Sequence, residues 1–190
     1  MSSLTPADYI DAAYELLVEH GPGALTLAAL CERVGTTKGS FYHHFPSLPA
    51  FHEQLLTHYS VTLLGQAIEH AAAEPDPRRR LAVLRQLGVH LPHELEHRIR
   101  AWGASHPPAA AAQQRVDGAR MEVLVGTFTE LGIDGDRAHV LARIGSAIVA
   151  GVQDLERSVD RAGLNDVLTE YQRWIEASIP AVAQAVRSAR

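Results

Sequence analysis

The sequence predicts an all-α fold, with an N-terminal three-helix domain followed by a larger helical domain, about nine helices in total. Three observations carry this expectation: apolar residues recur at spacings of 3 and 4, few stretches alternate with period two, and Gly, Pro and Asp fall between the periodic segments. The chain has 190 residues, 46% of them hydrophobic, which allows a sizeable core. No apolar run approaches the roughly 18 residues of a membrane span. The N-terminus lacks a charged-then-apolar leader pattern, so the expected location is cytoplasmic, with no membrane partner. A single cysteine, Cys31, excludes an internal disulfide and a cysteine-based zinc site, and its place on an apolar stripe makes it a small core residue.

The first helix is expected from Thr5 to His20. Pro6 suits an opening turn, Gly21-Pro22-Gly23 ends the helix, and Ile10, Ala13, Leu16 and Leu17 form its inward side. Residues 26–45 then read as two short helices joined by a tight turn. Thr26 is an N-cap type, Leu27, Leu30, Cys31 and Val34 make one stripe, and Gly35 supplies a permissive backbone at the helix end. Thr37 can cap the next helix, in which Phe41, His44 and Phe45 share a face at i, i+3 and i+4. Lys38, Gly39, Tyr42 and His43 lie on the opposite face. Such a face suits the second helix of a helix-turn-helix laid in a major groove. A lysine near a helix N-terminus can reach a base edge or a phosphate. Gly39 permits close approach, in a helix interior where glycine costs about 1 kcal/mol relative to alanine. Tyr42 and His43 can donate to phosphate oxygens. The residues alone leave open an ordinary helical hairpin with Tyr42 and His43 as plain surface groups.

A long fourth helix is expected from Pro49 to Ala73, linking the two domains, with Pro75-Asp76-Pro77 as its break. A fifth spans Arg78 to His90 and a sixth Pro92 to Gly103; His106-Pro107-Pro108 precedes a seventh from Ala109 to Leu131. The eighth, Asp136 to Val159, carries Leu141, Ile144, Ile148, Val152, Leu155 and Val159 on one stripe, beside the small residues Gly145, Ala147 and Gly151. The last, after Gly163, repeats the pattern in Leu168, Tyr171, Ile175, Ile179, Val182 and Val186, with Trp174 alongside and Pro180 as a kink or stop. Two such stripes serve either a plain core or a subunit interface.

The stretch from Tyr9 to about Tyr59 resembles the N-terminal domain of TetR-family transcriptional regulators. The matching residues are Ile10-Asp11-Ala12-Ala13, Leu16-Leu17, His20-Gly21, Leu25-Thr26-Leu27, Val34-Gly35-Thr36-Thr37-Lys38-Gly39-Ser40 and, most specifically, Phe41-Tyr42-His43-His44-Phe45. The resemblance implies DNA contacts from Thr36, Thr37, Lys38, Tyr42, His43 and His44, with Gly39 and Ser40 in the same segment, and a phosphate contact at the helix cap Thr26. It implies a DNA-binding domain over residues 1–47 and an effector-binding and dimerisation domain over 48–190. One position departs from the family. Phe45-Pro46-Ser47 is followed by Leu48, where relatives usually carry a phosphate-contacting lysine. The resemblance further implies a homodimer through the last two helices, here Ile144, Ile148, Gly151, Val152, Leu155, Leu168, Tyr171, Ile175 and Ile179. A two-fold dimer calls for a palindromic operator in double-stranded DNA. The implied role is a non-enzymatic regulator, typically a repressor released from DNA by a small-molecule effector, with no cofactor. Leu63, Trp102, Met121, Phe128 and Ile148, large and apolar on inward stripes, are expected to line the effector site.

Charge runs against the usual pattern for DNA binding. Net charge is −5, and residues 1–50 set Arg33 and Lys38 against Asp8, Asp11, Glu15, Glu19 and Glu32. Binding is therefore expected to rely on dimeric docking, helix N-termini and neutral donors. Arg78-Arg79-Arg80 opens a helix and reads as a solvated face. A rival reading comes from His93-Glu94-Leu95-Glu96-His97, a literal H-E-x-x-H string, with His90 one turn earlier. That pattern suits a zinc hydrolase or a metal-sensing regulator, but a catalytic zinc needs a third ligand and a cleft. The expectation is no metal.

Overall fold

The computed structural model describes residues 4–156, 158–177 and 179. Among these, every regular element is helical. Helices α1 (Pro6–His20), α2 (Leu27–Val34), α3 (Lys38–His44) and α4 (Leu48–Thr57) are followed by a π-helical segment, His58–Leu63. Helices α5 (Gly65–Ala72), α6 (Pro77–His90), α7 (His93–Gly103), α8 (Pro107–Glu130), α9 (Gly135–Leu155) and α10 (Arg161–Ala177) complete the described chain.

Local chemistry sets most of these boundaries. Thr5 and Asp8 form a reciprocal capping box at α1, with the Thr5 N–H donating to Asp8 Oδ2 at 2.7 Å. Asp76 caps α6 by accepting from the Arg78 N–H at 2.9 Å, with Pro77 in the first turn. The Asp160 carboxylate accepts from the Ala162 N–H at 3.0 Å at the start of α10. Two boundaries differ from the periodic reading. Helix α9 stops at Leu155 rather than Val159, where Glu156 turns extended and its carboxylate accepts from the Asp160 N–H. The single helix expected from Pro49 to Ala73 is interrupted: a π segment replaces its middle and a turn at Leu64 precedes α5. Within that segment Tyr59 is fully buried, and the Ser60 hydroxyl donates to the Leu56 carbonyl at 2.9 Å. Pro180, Val182 and Val186 lie outside the described residues.

The helices form two compact units that do not follow chain order: residues 1–63 with 94–114, and residues 64–93 with 115–190. The boundary expected after residue 47 falls inside the first unit. Its core is aromatic. Tyr9, Phe41, Phe45 and Phe51 are all fully buried, and Phe45 meets Phe51 with ring centroids 4.8 Å apart. In the second unit α6 packs on α5 and α10, and α10 on α9. There Phe128, Leu131, Ile133, Ala138, Leu141, Tyr171 and Ile175 build the main cluster. The Tyr171 hydroxyl donates to the Leu141 carbonyl, and a Cβ on Gly145 would lie 2.9 Å from its ring. Arg80, the last of the arginine run, is tied down by Glu130 at 2.8 Å, while Arg78 and Arg79 are exposed. No helix among the described residues is long and apolar enough to cross a membrane.

Candidate DNA-binding face

The turn between α2 and α3 is built from caps. The Thr26 hydroxyl accepts from the Ala29 N–H at 3.2 Å and opens α2. Gly35, at φ 71° and ψ 42°, closes it in the left-handed region, where a side chain would be strained. Thr37 then accepts from the Ser40 N–H at 3.4 Å and starts α3. A seven-residue helix is too short to stand alone, so tertiary contacts must hold it. Phe41 and Phe45 supply them: both meet the Tyr9 ring edge-on at 5.6 Å. The Tyr9 hydroxyl donates to Ser40 Oγ at 3.1 Å, which fixes Ser40 against α1.

With the phenylalanines turned inward, the opposite face of α3 is left to solvent. Lys38, Gly39 and His43 are exposed, and Tyr42 is 53% exposed despite its size. Thr37 is exposed as well, while Thr36, Ser40 and His44 are half-buried, His44 leaning on Tyr9 with centroids 5.7 Å apart. Among the described residues a Cβ on Gly39 would meet only Thr37 Oγ1, at 3.7 Å, so that position is open toward an approaching surface. The face thus gathers one ammonium, a phenol, an imidazole and the N-terminal amides of a helix, all suited to phosphate oxygens and base edges.

Electrostatics narrow the face further. Arg33, the only other cation of residues 1–50, is clamped by Glu15 at 2.9 Å and by Glu19 at 2.5 Å. Hydrogen bonds from the guanidinium hold the Glu19 carboxyl below the usual range, and the same bonds keep Arg33 still more firmly protonated. The sequence contained a signal for this clamp: Glu15 and Glu19 are four apart on α1. Cys31 is 6% exposed and burial raises its thiol, which fits a core role.

The other expected sites fare unevenly. Of the five effector-lining residues, Leu63 and Trp102 fall in the first unit; Phe128 is fully buried in the second, where Met121 and Ile148 pack against its cluster. Trp102 stacks on His106 at 4.5 Å and takes His52 on its edge. Of the expected interface residues, Leu168, Tyr171, Ile175 and Ile179 are buried within the protomer itself, because α10 turns that stripe toward α6 and α9. Ile144, Ile148, Gly151 and Val152 are half-buried and Leu155 is 88% exposed. Gly145 is filled by Tyr171 of the same chain, whereas no described residue lies within 4 Å of a Cβ on Gly151. Val140, Val167 and Trp174, absent from the expected set, are large apolar side chains exposed on α9 and α10.

The geometry does not favour the zinc reading of His93-Glu94-Leu95-Glu96-His97. His93 is buried, its Nε2–H donates to the Val89 carbonyl at 3.1 Å, and its Nδ1 accepts from Gln153 Nε2 at 3.2 Å. Both ring nitrogens are used, so neither offers a lone pair to a metal. Glu96 accepts from Gln113 Nε2 at 3.3 Å and pairs with Arg100 at 3.5 Å. No group of three or more metal-ligating side chains comes together among the described residues. A buried chain of hydrogen bonds emerges instead, with the Tyr59 hydroxyl donating to Gln113 Oε1 at 2.7 Å. Nothing in the spacing of these residues foretold it.

Comparison with known proteins bears on the same residues. The family model described as bacterial regulatory proteins, tetR family, matches residues 10–48. No curated protein matches the chain. Among solved structures, a TetR transcriptional regulator from Legionella pneumophila superposes with a TM-score of 0.73 at 15% identity, covering 94% of this chain and 99% of its own. A transcriptional regulator from Rhodococcus sp. Rha1 gives 0.72 at 21% identity, covering 90% and 96%. A regulator from Saccharomonospora viridis in complex with choline gives 0.68 at 17% identity, covering 87% and 94%. At these identities the structures establish the shared fold over nearly the whole chain. The family match falls on the segment that presents Lys38, Tyr42 and His43: residues 10–48 fit the tetR-family model of bacterial regulatory proteins, and the chain as a whole shares the fold of the solved regulators.

Proposed function

We propose that the chain acts in the cytoplasm as a homodimeric repressor, released from a palindromic operator by a small-molecule effector. The observation that carries the DNA side is the α3 face, where Lys38, Tyr42 and His43 are exposed while Phe41 and Phe45 are fully buried. Lys38 and Tyr42 make the principal contacts, with Thr36, Thr37, Gly39, Ser40, His43 and His44 completing the surface and Thr26 meeting a flanking phosphate. A two-fold dimer sets two such helices about one DNA turn apart, roughly 34–36 Å. Val140, Ile144, Gly151 and Leu155 along α9, with Val167 and Trp174 of α10, support the dimer as an apolar surface that a second copy would cover. The effector is assigned to the second unit, where Met121, Phe128 and Ile148 meet. It shifts the protein toward a state with different half-site spacing, by no more than its differential affinity for the two states. No catalysis is expected from His93 or Glu94.

Selection from a randomised DNA pool, followed by footprinting, tests the reading. An inverted repeat should emerge, and Lys38→Ala combined with Tyr42→Ala should abolish protection while the fold persists. Recovery of no preferred site, or equal protection by the double variant, would overturn it.

A further inference from the structure

The His93–Gln153 pair leaves one buried acceptor with no donor among the described residues. The Val89 carbonyl can only accept, so His93 must carry its proton on Nε2. A neutral ring then has a bare Nδ1, which calls for a donor, and this fixes the Gln153 amide with its NH2 toward His93 at 3.2 Å. Gln153 Oε1 is thereby turned away from the histidine. It is fully buried, and no donor among the described residues reaches it. Gln153 itself is 4% exposed, so solvent does not satisfy it freely. Orphaned buried acceptors are costly and rare, and one whose orientation is enforced by a second buried residue requires a reason. An aliphatic cluster adjoins the pair: Val149 and Val152, near Gln153 on α9, pack with Ile148 against Val89, Leu164 and Leu168, and Val89 is the residue whose carbonyl holds His93.

We propose that Gln153, held by His93, is the polar anchor of the effector, which is a small apolar molecule carrying one neutral hydrogen-bond donor such as a hydroxyl or ring N–H. This rests on the assignment of the effector to the second unit, and it names the chemistry of that ligand. A neutral donor is specified because, among the described residues, the pair is bonded only to itself and to a main-chain carbonyl, beside an aliphatic cluster; a buried cation there would lose its hydration without gaining a counter-charge. Ile148 joins the two regions, since it packs against both this cluster and the one containing Phe128.

The test uses the full chain and two matched pairs of probes, phenol against toluene and indole against 1-methylindole, each pair differing in the donor. Calorimetric titration should show phenol or indole binding wild type about tenfold or more tightly than its donor-free partner, with the preference lost in Gln153→Leu. His93→Phe, which releases the amide, should weaken the same preference. In case the variants fold poorly, the wild-type chain labelled with 15N supplies a second readout: the Gln153 side-chain amide resonances should move with phenol or indole and stay with toluene or 1-methylindole. Equal affinity within both pairs, an unmoved Gln153 amide at saturation, or no binding of any probe would overturn the assignment. Operator selection on the same preparation separates the two failures. Loss of the donor preference with operator binding intact removes only this anchor, whereas absence of an operator removes the regulatory reading.

Discussion

Burial holds the His52 imidazole below the ordinary histidine range, although its Nε2–H donates to the Leu25 carbonyl at 3.3 Å and so favours the charged form. Its neighbours are the edge of Trp102, 5.4 Å away between centroids, and His106, whose charge opposes a second one nearby. The unfolded chain takes up this proton near the ordinary value of 6.5, and the folded chain only at lower pH. Between those two values the unfolded state holds more protons, so stability rises with pH there. The contribution is complete above about pH 6.5 and fades as the solution is acidified below it. Thermal unfolding from pH 7.5 down to 5 checks this against His52→Phe, which keeps an aromatic ring beside Trp102. The variant should lose less stability across the range than wild type; parallel curves would show that His52 is not the titrating group.

At the scale of elements, two glycines on one helix do different things. Gly145 admits the Tyr171 ring, and a Cβ there would fall 2.9 Å from it, so the buried ring must shift for any side chain to fit. Gly145→Ala should destabilise the fold by about 1–3 kcal/mol, measured by denaturant unfolding. Gly151→Ala meets nothing among the described residues and serves as the control. The distinction was not legible in the sequence, where both glycines sit beside the same stripe. What was legible had local causes. Prolines, caps and the 3.6-residue period located α1, α6, α7 and α8 to within a residue or two, and the glycine-bearing turn with its two threonine caps was readable residue by residue. Periodicity also found the α10 stripe, but an apolar stripe does not say what covers it, and Leu168, Tyr171 and Ile175 are covered by their own chain. The π segment escaped for another reason. Tyr59, Ser60, Val61 and Thr62 are indifferent helix formers, and what anchors them is a hydrogen bond from Tyr59 to Gln113, fifty-four residues away.

For the whole molecule, the hydrogen bonds joining Tyr59, Gln113 and Glu96 occupy a telling position in the chain. Each residue lies close to a point where the backbone passes between units, at 63–64, 93–94 and 114–115. Gln113→Leu leaves the buried Tyr59 hydroxyl and Glu96 carboxylate short of one partner each. It should lower stability by about 1–3 kcal/mol. It should also blunt the effector response more than it weakens operator binding, as read by mobility shift with and without ligand; an unchanged induction ratio would show that these bonds serve folding alone. The charge distribution makes a separate prediction. With Arg33 clamped by two carboxylates, each protomer brings few cations to DNA, so the logarithm of operator affinity should fall only gently with the logarithm of salt concentration. A slope equivalent to six or more phosphates per protomer would contradict this.

The clamp on Arg33 also bears on how such a protein would find its target. Travel along a duplex depends on a cloud of cations that holds the protein to any sequence it meets, and here the α3 surface offers one ammonium in place of such a cloud. The search would then proceed by repeated collisions from bulk solution rather than by one-dimensional sliding, and its rate would depend little on the length of DNA flanking the site.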